Sequence, residues 1–401
     1  MSNVNRPRYE SKIRPFIGNG NIKGITGIRR CGKSTIMKLV TSDIPGSNLI
    51  YLNMDHRSNW PYKDSALLDK YIHDHLVEDA RNVLVIDEVQ DIIGWEAEIR
   101  SLGFEECCDI YITGSNAHLL SGEYGTLLSG RVNLINAFTL TFSECLTFER
   151  EYKSERSVEE SLNRFLRVGG FPKLWRYGYD EDACLQEVQD TLDMALKVDV
   201  FYRFKVTEPD LLERILDFFC DNIGNPTSVF NIYKALKKND PSTNKDLVYS
   251  YVQYLESACL INKAKVLDLK GMVHLEKGYK YFLADIGIKN VRIGFRPTDI
   301  SGYMENIVYL ELRSRGYSVS IGDIDGKEID LVGIKSNERV YVQLTEELTT
   351  SDVVNREFGN LAAIDDNYPK YVVTLKRGMF DNDMDGIHCT TLLEFLQMEK
   401  F

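Results

Sequence analysis

The feature that most constrains this chain is a glycine-rich segment near its start. Residues 27–34 read Gly-Ile-Arg-Arg-Cys-Gly-Lys-Ser, which fits the pattern G-x-x-x-x-G-K-[S/T]. An apolar, strand-like run precedes the segment at Ile22–Thr26, and a helical run follows it at 34–40. A strand that leads through such a loop into a helix is typical of a parallel sheet covered by helices. The sequence therefore predicts an α/β fold built around this loop.

Binding of a nucleotide phosphate is the chemistry that this segment allows. Glycines let backbone N–H groups turn toward an anion, and the following helix N-terminus adds its positive dipole end. We expect Lys33 to reach the β- and γ-phosphates of ATP, and Ser34 to offer its hydroxyl to Mg²⁺. Arg29 and Arg30 either contact phosphates or are solvated. The predicted nucleotide-binding set is Gly27, Arg30, Cys31, Gly32, Lys33, Ser34 and Thr35.

A second motif is the acidic end of an apolar strand. Residues 83–88 read Val-Leu-Val-Ile-Asp-Glu, so two carboxylates follow a buried run. In a P-loop ATPase such a strand lies beside the phosphate loop, and we expect Asp87 to hold Mg²⁺ directly or through water. Glu88 would then polarise the attacking water as general base. The alternative is an acidic loop that merely caps a strand.

Two further segments suggest additional catalytic residues. The apolar run 109–113 ends in Gly114-Ser115-Asn116, where Ser115 or Asn116 can act as a sensor between the acidic pair and the γ-phosphate. The alternative is a polar turn with Asn116 as a helix cap. Arg131 opens the last strand-like run, at 132–137, and acts either as an arginine finger toward a neighbouring subunit or as a surface arginine.

The rest of the chain changes character along its length. We predict a P-loop core at residues 1–142, a helical extension or lid at 143–205, a winged-helix domain at 206–290 and an α/β domain at 291–401. The winged-helix prediction rests on three helical stretches and a hairpin-like pair of runs. Its basic residues Lys234, Lys237 and Lys238 allow DNA contact, although winged helices also serve as packing domains.

Composition limits the remaining function classes. The net charge of −12, from 48 basic and 60 acidic residues, argues against indiscriminate DNA binding by the whole surface. The sequence has neither a membrane-length apolar stretch nor a secretory signal, so we expect a cytoplasmic protein with no membrane partner. We expect its eight cysteines to be free thiols. The adjacent Cys107-Cys108 pair fits no zinc-binding spacing.

Four motifs in order along the chain point to a family: GIRRCGKST, LVIDEVQ, ITGSNAHLLS followed by LSGR, and RVGGFPKL. The chain resembles the AAA+-like P-loop ATPases that carry a C-terminal domain of unknown function of the 4143 type. These ATPases are similar to archaeal-type members of the STAND group. The resemblance implies an ATPase core, a helical and winged-helix middle, and a C-terminal fold like that of restriction endonucleases.

The endonuclease-like resemblance extends to individual residues of the last domain. Nucleases of the PD-(D/E)xK type bind metal through acids and use a lysine to activate water. The matching positions are Glu305, Asp330, Gln343 and Thr345, so the second acid and the lysine are missing. This loss of charge favours a non-cleaving module that contacts a protein or DNA.

Two functions from different classes follow from these observations. The first is an ATP-hydrolysing AAA+-like enzyme whose C-terminal half contacts DNA or a partner. The second is a nucleotide-gated switch or scaffold with little hydrolysis, and an ATP-dependent nuclease is a third, less favoured function. ATP or ADP with Mg²⁺ is the predicted ligand in each case, and assembly into a homo-oligomer is left open.

Overall fold

The fold is described from a computed structural model that covers residues 4–116, 130–153, 155–176, 180–378 and 382–401, apart from the side chains of Arg176 and Lys277. The chain divides into two compact units. The N-terminal unit comprises Met1–Thr139 with Ser257–Cys259, and the C-terminal unit comprises Leu140–Glu256 with Leu260–Phe401.

The described strands of the N-terminal unit form a parallel sheet in the order β2-β3-β4-β1-β5, with every pair parallel. This arrangement confirms the predicted fold class for the core. The central strand β1 is buried along its whole length because neighbouring strands lie on both sides. The strands are β1 (Ile22–Thr26), β2 (Ser47–Asn53), β3 (Arg81–Asp87), β4 (Asp109–Gly114) and β5 (Val132–Asn136).

Helices cover this sheet and bury its apolar side chains. Asp64 caps the third of them by accepting a hydrogen bond from the backbone N–H of Leu67. Leu68, Ile72 and Ile99 from two of the helices pack with strand residues in a buried apolar cluster. The helices are α1 (Pro7–Ile13), α2 (Lys33–Ser42), α3 (Ser65–Asp74) and α4 (Trp95–Glu105).

The C-terminal unit opens with helices that have strong start signals. Thr141 and Ser157 each form a capping box with the glutamate three residues later. The third α-helix of this unit, Glu181–Met194, continues as a π-helical segment at Ala195–Tyr202. The helices are α5 (Phe142–Glu151), α6 (Val158–Val168), α7 (Glu181–Met194), α8 (Pro209–Asp221), α9 (Val229–Asn239), α10 (Lys245–Ser257), α11 (Ile286–Ile293), α12 (Ile300–Ser314), α13 (Ser351–Ala362) and α14 (Leu392–Gln397).

The described strands of this unit form a mixed sheet in the order β12-β11-β10-β9-β8-β6-β7. The β6–β7 hairpin, predicted from sequence as the wing, pairs in parallel with β8 and so extends the sheet of the last domain. The winged-helix assignment and the boundary at 290/291 stay predictions. The strands are β6 (Ile261–Asp268), β7 (Val273–Leu283), β8 (Ser318–Ile324), β9 (Lys327–Lys335), β10 (Glu338–Thr345), β11 (Lys370–Thr374) and β12 (His388–Thr391).

Two sequence expectations concern the whole chain. Among the residues that the structure describes, none of the helices combines the length and the apolar character that a bilayer span requires. All eight cysteines are free thiols, as the sequence predicts.

Candidate nucleotide-binding site

The glycine-rich segment forms the turn between β1 and α2. The strand ends at Thr26 and the helix begins at Lys33, so the loop opens directly onto a helix N-terminus. Gly27 has a φ of 152°, and a Cβ there would lie 2.0 Å from the Ala137 carbonyl oxygen. Gly32 has a φ of 104°, a conformation that side chains disfavour. Both motif glycines are therefore required by the shape of the loop.

Lys33 lies inside the loop with only 3% of its surface exposed. Its Nζ donates to the carbonyl oxygens of Gly27 and Ile28 at 3.1 and 3.3 Å, and lies 3.6 Å from Oε1 of Glu88. Burial is the largest single influence and lowers the pKa of Lys33, but electrostatic interactions with Glu88, Cys31 and Asp87 together outweigh it, so the pKa is raised overall. The ammonium is therefore charged and held by weak neutral acceptors, which a phosphate can replace.

Asp87 is held by hydrogen-bond donors from helix α2 and from strands β2 and β4. Ser34 Oγ donates to Oδ1 at 2.9 Å, and the Thr113 hydroxyl donates to the same oxygen. Tyr51 OH and Asn53 Nδ2 donate to Oδ2 at 3.1 and 3.0 Å. The Ser34 hydroxyl and a carboxylate thus meet beside the phosphate loop, as expected. An adjoining hydroxyl and carboxylate are oxygen ligands that fit Mg²⁺.

Glu88 follows in a strained backbone conformation, with a φ of 60°. Its backbone N–H donates to Thr113 Oγ1 at 3.2 Å, which helps hold this turn. Burial alone would raise the pKa of Glu88, but Lys33, Arg29 and hydrogen bonds from Gln90 and Ser115 lower it to about 2. The carboxylate is therefore ionised at neutral pH and faces the lysine of the phosphate loop.

The predicted sensor residues follow β4 near this pair. Ser115 is fully buried, and its Oγ accepts a hydrogen bond from Gln90 Nε2 at 3.4 Å. The backbone carbonyl of Asn116 accepts from Thr26 Oγ1 at 3.1 Å, which joins the end of β4 to the start of the loop. Residues 117–129, which carry the rest of the ITGSNAHLLS motif, lie outside the described part of the chain.

Arg131 is placed at the other end of the sheet. It precedes β5, whose first residue pairs with Ile22 at the start of β1, whereas the phosphate loop follows the end of β1. Its guanidinium lies 4.9 Å from the centroid of the Phe104 ring. The structure therefore does not bring Arg131 to the phosphate loop of its own chain, and an action on a neighbouring subunit stays a prediction.

The two arginines of the loop have different environments. Arg29 is buried, with NH1 3.1 Å from Asp55 Oδ2, and its charge acts on Glu88. Arg30 is exposed and has a φ of 64°. The Cys31 side chain is buried and donates to the Ala137 carbonyl at 3.4 Å, which leaves only its backbone for phosphate contact. The half-buried Thr35 lies in the first turn of α2.

Several residues of the site are absent from the sequence-based prediction. Arg6 is buried, and its guanidinium donates to the carbonyl oxygens of Cys31 and Phe138 at 2.8 and 3.1 Å. It thereby ties the phosphate loop to the end of β5. Tyr51 and Asn53 at the end of β2 orient Asp87. Polar residues at the carboxyl end of a parallel strand are a signal that could have identified Asn53.

The predicted nuclease-like residues are brought together in the C-terminal unit. Glu305 and Asp330 are buried on α12 and β9, and Gln343 Oε1 accepts from the Asp330 backbone N–H at 3.4 Å. Thr345, where the lysine is missing, ends β10. A lysine is nevertheless present, because Lys280 from β7 reaches this group and places Nζ 2.7 Å from Glu305 and 3.9 Å from Asp330. This positive charge comes from β7 and not from the position of Thr345.

The parallel sheet, the glycine loop and the Ser34–Asp87 pair define an AAA+-like P-loop ATPase domain. Residues 19–146 match the family described as an AAA domain. Residues 159–299 match a domain of unknown function, DUF8612, which differs from the 4143 type expected at the C-terminus. The AAA+-like resemblance is thus confirmed for the N-terminal part of the chain.

One relative that matches this chain over almost its whole length shows the family to which it belongs. An uncharacterized protein of Haemophilus influenzae is 32% identical over 399 residues, which cover 98% of each chain. An uncharacterized protein of Methanocaldococcus jannaschii is 27% identical over 78% of this chain and 70% of its own. The chain belongs to the family of the Haemophilus influenzae protein. The Walker-type ATPase of Pyrococcus abyssi shares the fold at 14% identity and a TM-score of 0.50, over 72% of this chain and 95% of its own.

Proposed function

We propose that this chain binds ATP and Mg²⁺ and hydrolyses ATP to ADP and phosphate. The observation that carries the proposal is the meeting of Lys33, Ser34, Asp87 and Glu88 at the carboxyl end of β1 and β3. P-loop ATPases need a phosphate-binding lysine, a hydroxyl and carboxylate for the metal, and a base for water. The second carboxylate, Glu88, favours hydrolysis over a nucleotide-gated switch, since binding alone does not need a base.

Each residue has a distinct role in the proposed reaction. Lys33 binds phosphate oxygens in place of the carbonyl oxygens that it now contacts. Ser34 and Asp87 would hold Mg²⁺, which supplies positive charge against the phosphates when bound. Glu88 orients and deprotonates the attacking water. When Lys33 turns to a phosphate, Glu88 loses its main electrostatic stabiliser, so its pKa rises and it becomes a better base. Ser115 or Asn116 assists by positioning water.

Phosphate release is the direct test of this proposal. We expect ATP hydrolysis by the wild type and losses on the order of 10²-fold or more for Lys33→Ala and Glu88→Gln. Lys70→Ala, which removes an exposed lysine of α3, is the matched control and should keep full activity. If the wild type released no more phosphate than Lys33→Ala, the alternative of a switch or scaffold would replace the enzyme.

DNA is the partner that we propose for the C-terminal unit. Exposed lysines and aromatic rings alternate on α9 and the start of α10. Lys234 and Lys245 place Nζ 4.6 and 5.5 Å from the centroid of the Phe230 ring, and Lys245 also lies 5.7 Å from that of Tyr249. Phe230 and Tyr249 are 41% and 40% exposed. Cations bind the phosphate backbone, and exposed rings stack on bases.

Salt dependence distinguishes this DNA contact from a packing role. We expect duplex or single-stranded DNA binding that weakens with salt, and a smaller salt slope when Lys234 and Lys245 are both changed to glutamate. Lys335→Glu is a matched control because its ammonium also lies over a ring, that of Tyr317. Absent binding at low salt, or equal loss in the control, would contradict the proposal.

A second candidate function is favoured by one observation, the position of Lys280. The C-terminal group has acids and a lysine in contact, which is the chemistry of metal-dependent phosphodiester cleavage. Incubation of supercoiled plasmid with Mg²⁺ or Mn²⁺ tests it. Cleavage that Asp330→Ala and Lys280→Met both abolish, while circular dichroism shows both variants folded, would establish nuclease activity. Intact plasmid would leave the non-cleaving module that the sequence predicts.

A further inference from the structure

A second cluster of metal-ligating groups lies in the N-terminal unit, away from the phosphate loop. His73 is in the last turn of α3, Glu105 ends α4, and Cys107 follows two residues later, before β4. One ligand atom of each, an imidazole nitrogen, a carboxylate oxygen and a sulfur, lies within 4.8 Å of the other two. Two helix ends and a loop therefore bring three different donor types to one point.

The orientation of His73 is the second observation that points to a cation. Its Nδ1 lies 2.9 Å from the Asp69 carbonyl oxygen and 3.1 Å from Asp69 Oδ1, so it faces acceptors. Its Nε2 lies 2.9 Å from Glu105 Oε2, which is also an acceptor. The ring therefore carries both protons or presents the Nε2 lone pair to a cation. A histidine that binds metal through one nitrogen typically donates its other N–H to such a carbonyl or carboxylate.

The negative charge around this cluster also favours a cation. Asp69 and Glu105 flank the imidazole, and Glu98 on α4 faces the same region. One carboxylate oxygen of Glu98 is buried and has no hydrogen-bond partner among the described residues. Burial and the charge of Asp69 raise the pKa of Glu98. A divalent cation would relieve the repulsion between these carboxylates.

We propose that His73, Glu105 and Cys107 bind a zinc ion. Nitrogen, oxygen and sulfur donors together suit zinc, whereas Mg²⁺ and Ca²⁺ prefer oxygen alone. Three protein ligands leave a fourth position for water. The sequence shows no zinc-binding spacing around the Cys107-Cys108 pair. The proposed site uses only Cys107 of this pair, and its other two ligands come from the ends of two helices. Since α3 and α4 both contribute, the ion would join the ends of the two helices.

Metal titration of the full chain tests this site with a readout that is independent of ATP hydrolysis. After chelator treatment, we expect zinc to bind at this cluster and to raise the melting temperature. Cadmium should give an ultraviolet thiolate-to-metal charge-transfer band. His73→Ala and Cys107→Ser should each weaken zinc binding on the order of 100-fold, and Cys107→Ser should remove the cadmium band.

Matched variants control for folding and for other metal sites. His75→Ala removes a histidine two residues further on, whose Nδ1 lies 2.7 Å from the Tyr71 carbonyl oxygen. Cys389→Ser removes a half-buried thiol of the other unit. Both control variants, His75→Ala and Cys389→Ser, should bind zinc with wild-type affinity. Circular dichroism should show that the ligand variants remain folded. Zinc affinity unchanged in Cys107→Ser, or equally reduced in His75→Ala, would overturn the proposal.

Discussion

Each unit of this chain buries a lysine among carboxylates, and the two lysines are held in different ways. Lys33 in the phosphate loop lies 3.6 Å from Glu88 and donates to two backbone carbonyls. Lys280 in the C-terminal unit lies 2.7 Å from Glu305 and 2.9 Å from Glu328, with Asp330 nearby. The first ammonium can exchange its neutral acceptors for a phosphate, whereas the second is already surrounded by carboxyl groups.

The electrostatics of the two groups follow from this difference. At the phosphate loop one carboxylate, Glu88, faces Lys33 and Arg29, and its pKa is lowered to about 2. In the C-terminal unit several carboxylates share Lys280, so burial and mutual repulsion raise the pKa of Glu305 to about 8 and that of Asp330 to about 6. The first arrangement is suited to receive an anionic ligand. The second is suited to bind a cation or to stabilise the fold.

The largest effect should appear at the phosphate loop, as a loss of rate. Glu88→Gln keeps the shape of the side chain but removes the proposed base, so we expect kcat to fall roughly 10²–10⁴-fold. Nucleotide affinity, measured by fluorescent-ATP titration, should change little because Lys33 and the loop remain. Retention of wild-type kcat would show that Glu88 is not the base.

The corresponding change in the C-terminal unit should cost stability. Lys280→Met leaves buried carboxylates without their cation, and removing one partner of a buried ion pair costs about 3–5 kcal/mol. Urea unfolding should show this loss, and the double variant Lys280→Met with Glu305→Gln should recover part of it. A Lys280→Met protein as stable as the wild type would mean that the group is not a structural ion cluster.

The two groups should also respond to pH in opposite directions. The folded-state pKa of Glu305 lies above its unfolded value, so the folded state binds more protons and stability falls as pH rises from 4.5 toward 8. The folded-state pKa of Glu88 is lowered, so its contribution to folding stability is present above pH 4.5 and is lost as pH falls toward 2.

Hydrogen exchange that resolves the two units measures this contrast. Between pH 5 and 8, and after correction for intrinsic exchange, protection around α12 should decline in the wild type. The decline should be smaller in Glu305→Gln, where the titrating group is gone. Glu311→Gln, which also changes a buried glutamate of α12, is the matched control and should keep the slope. If protection in Glu305→Gln declined with pH as steeply as in the wild type, the pH dependence could not be assigned to Glu305.

The sequence predicts the parts of this molecule that depend on local pattern. The bounds of β1 agree with the predicted run Ile22–Thr26, because the strand is buried along its whole length and the glycine loop marks its end. Its one charged residue, Lys23, is buried and forms an ion pair with Asp109. The meeting of Ser34 with Asp87 also follows, since the carboxyl ends of parallel strands lie at one edge of a sheet, and β1 and β3 lie on either side of β4.

Contacts between distant segments could not be predicted in this way. Lys280 reaches Glu305 and Asp330 because β6 pairs with β8, and nothing in the pattern of either run identifies its partner strand. The contacts of Arg6 could not be predicted either. Its acceptors are backbone carbonyl oxygens, and every residue type carries one, so the sequence does not identify them. The hairpin predicted as a wing thus lies in one sheet with β8, and it brings Lys280 to the acidic residues.

The smallest effect that we predict tests how firmly Asp87 is positioned. Tyr51 and Asn53 hold its Oδ2, while Ser34 and Thr113 hold its Oδ1. Asn53→Ala should raise the Mg²⁺ concentration needed for half-maximal ATP hydrolysis about 10-fold, since residues that orient a metal ligand affect affinity by 10- to 100-fold. kcat at saturating Mg²⁺ should change less. Asn59→Ala is the control, because its amide donates to the Asn53 carbonyl and does not contact Asp87. An unchanged Mg²⁺ requirement in Asn53→Ala would mean that Asp87 needs no support from β2, and that the site is less preorganised than its hydrogen bonds imply.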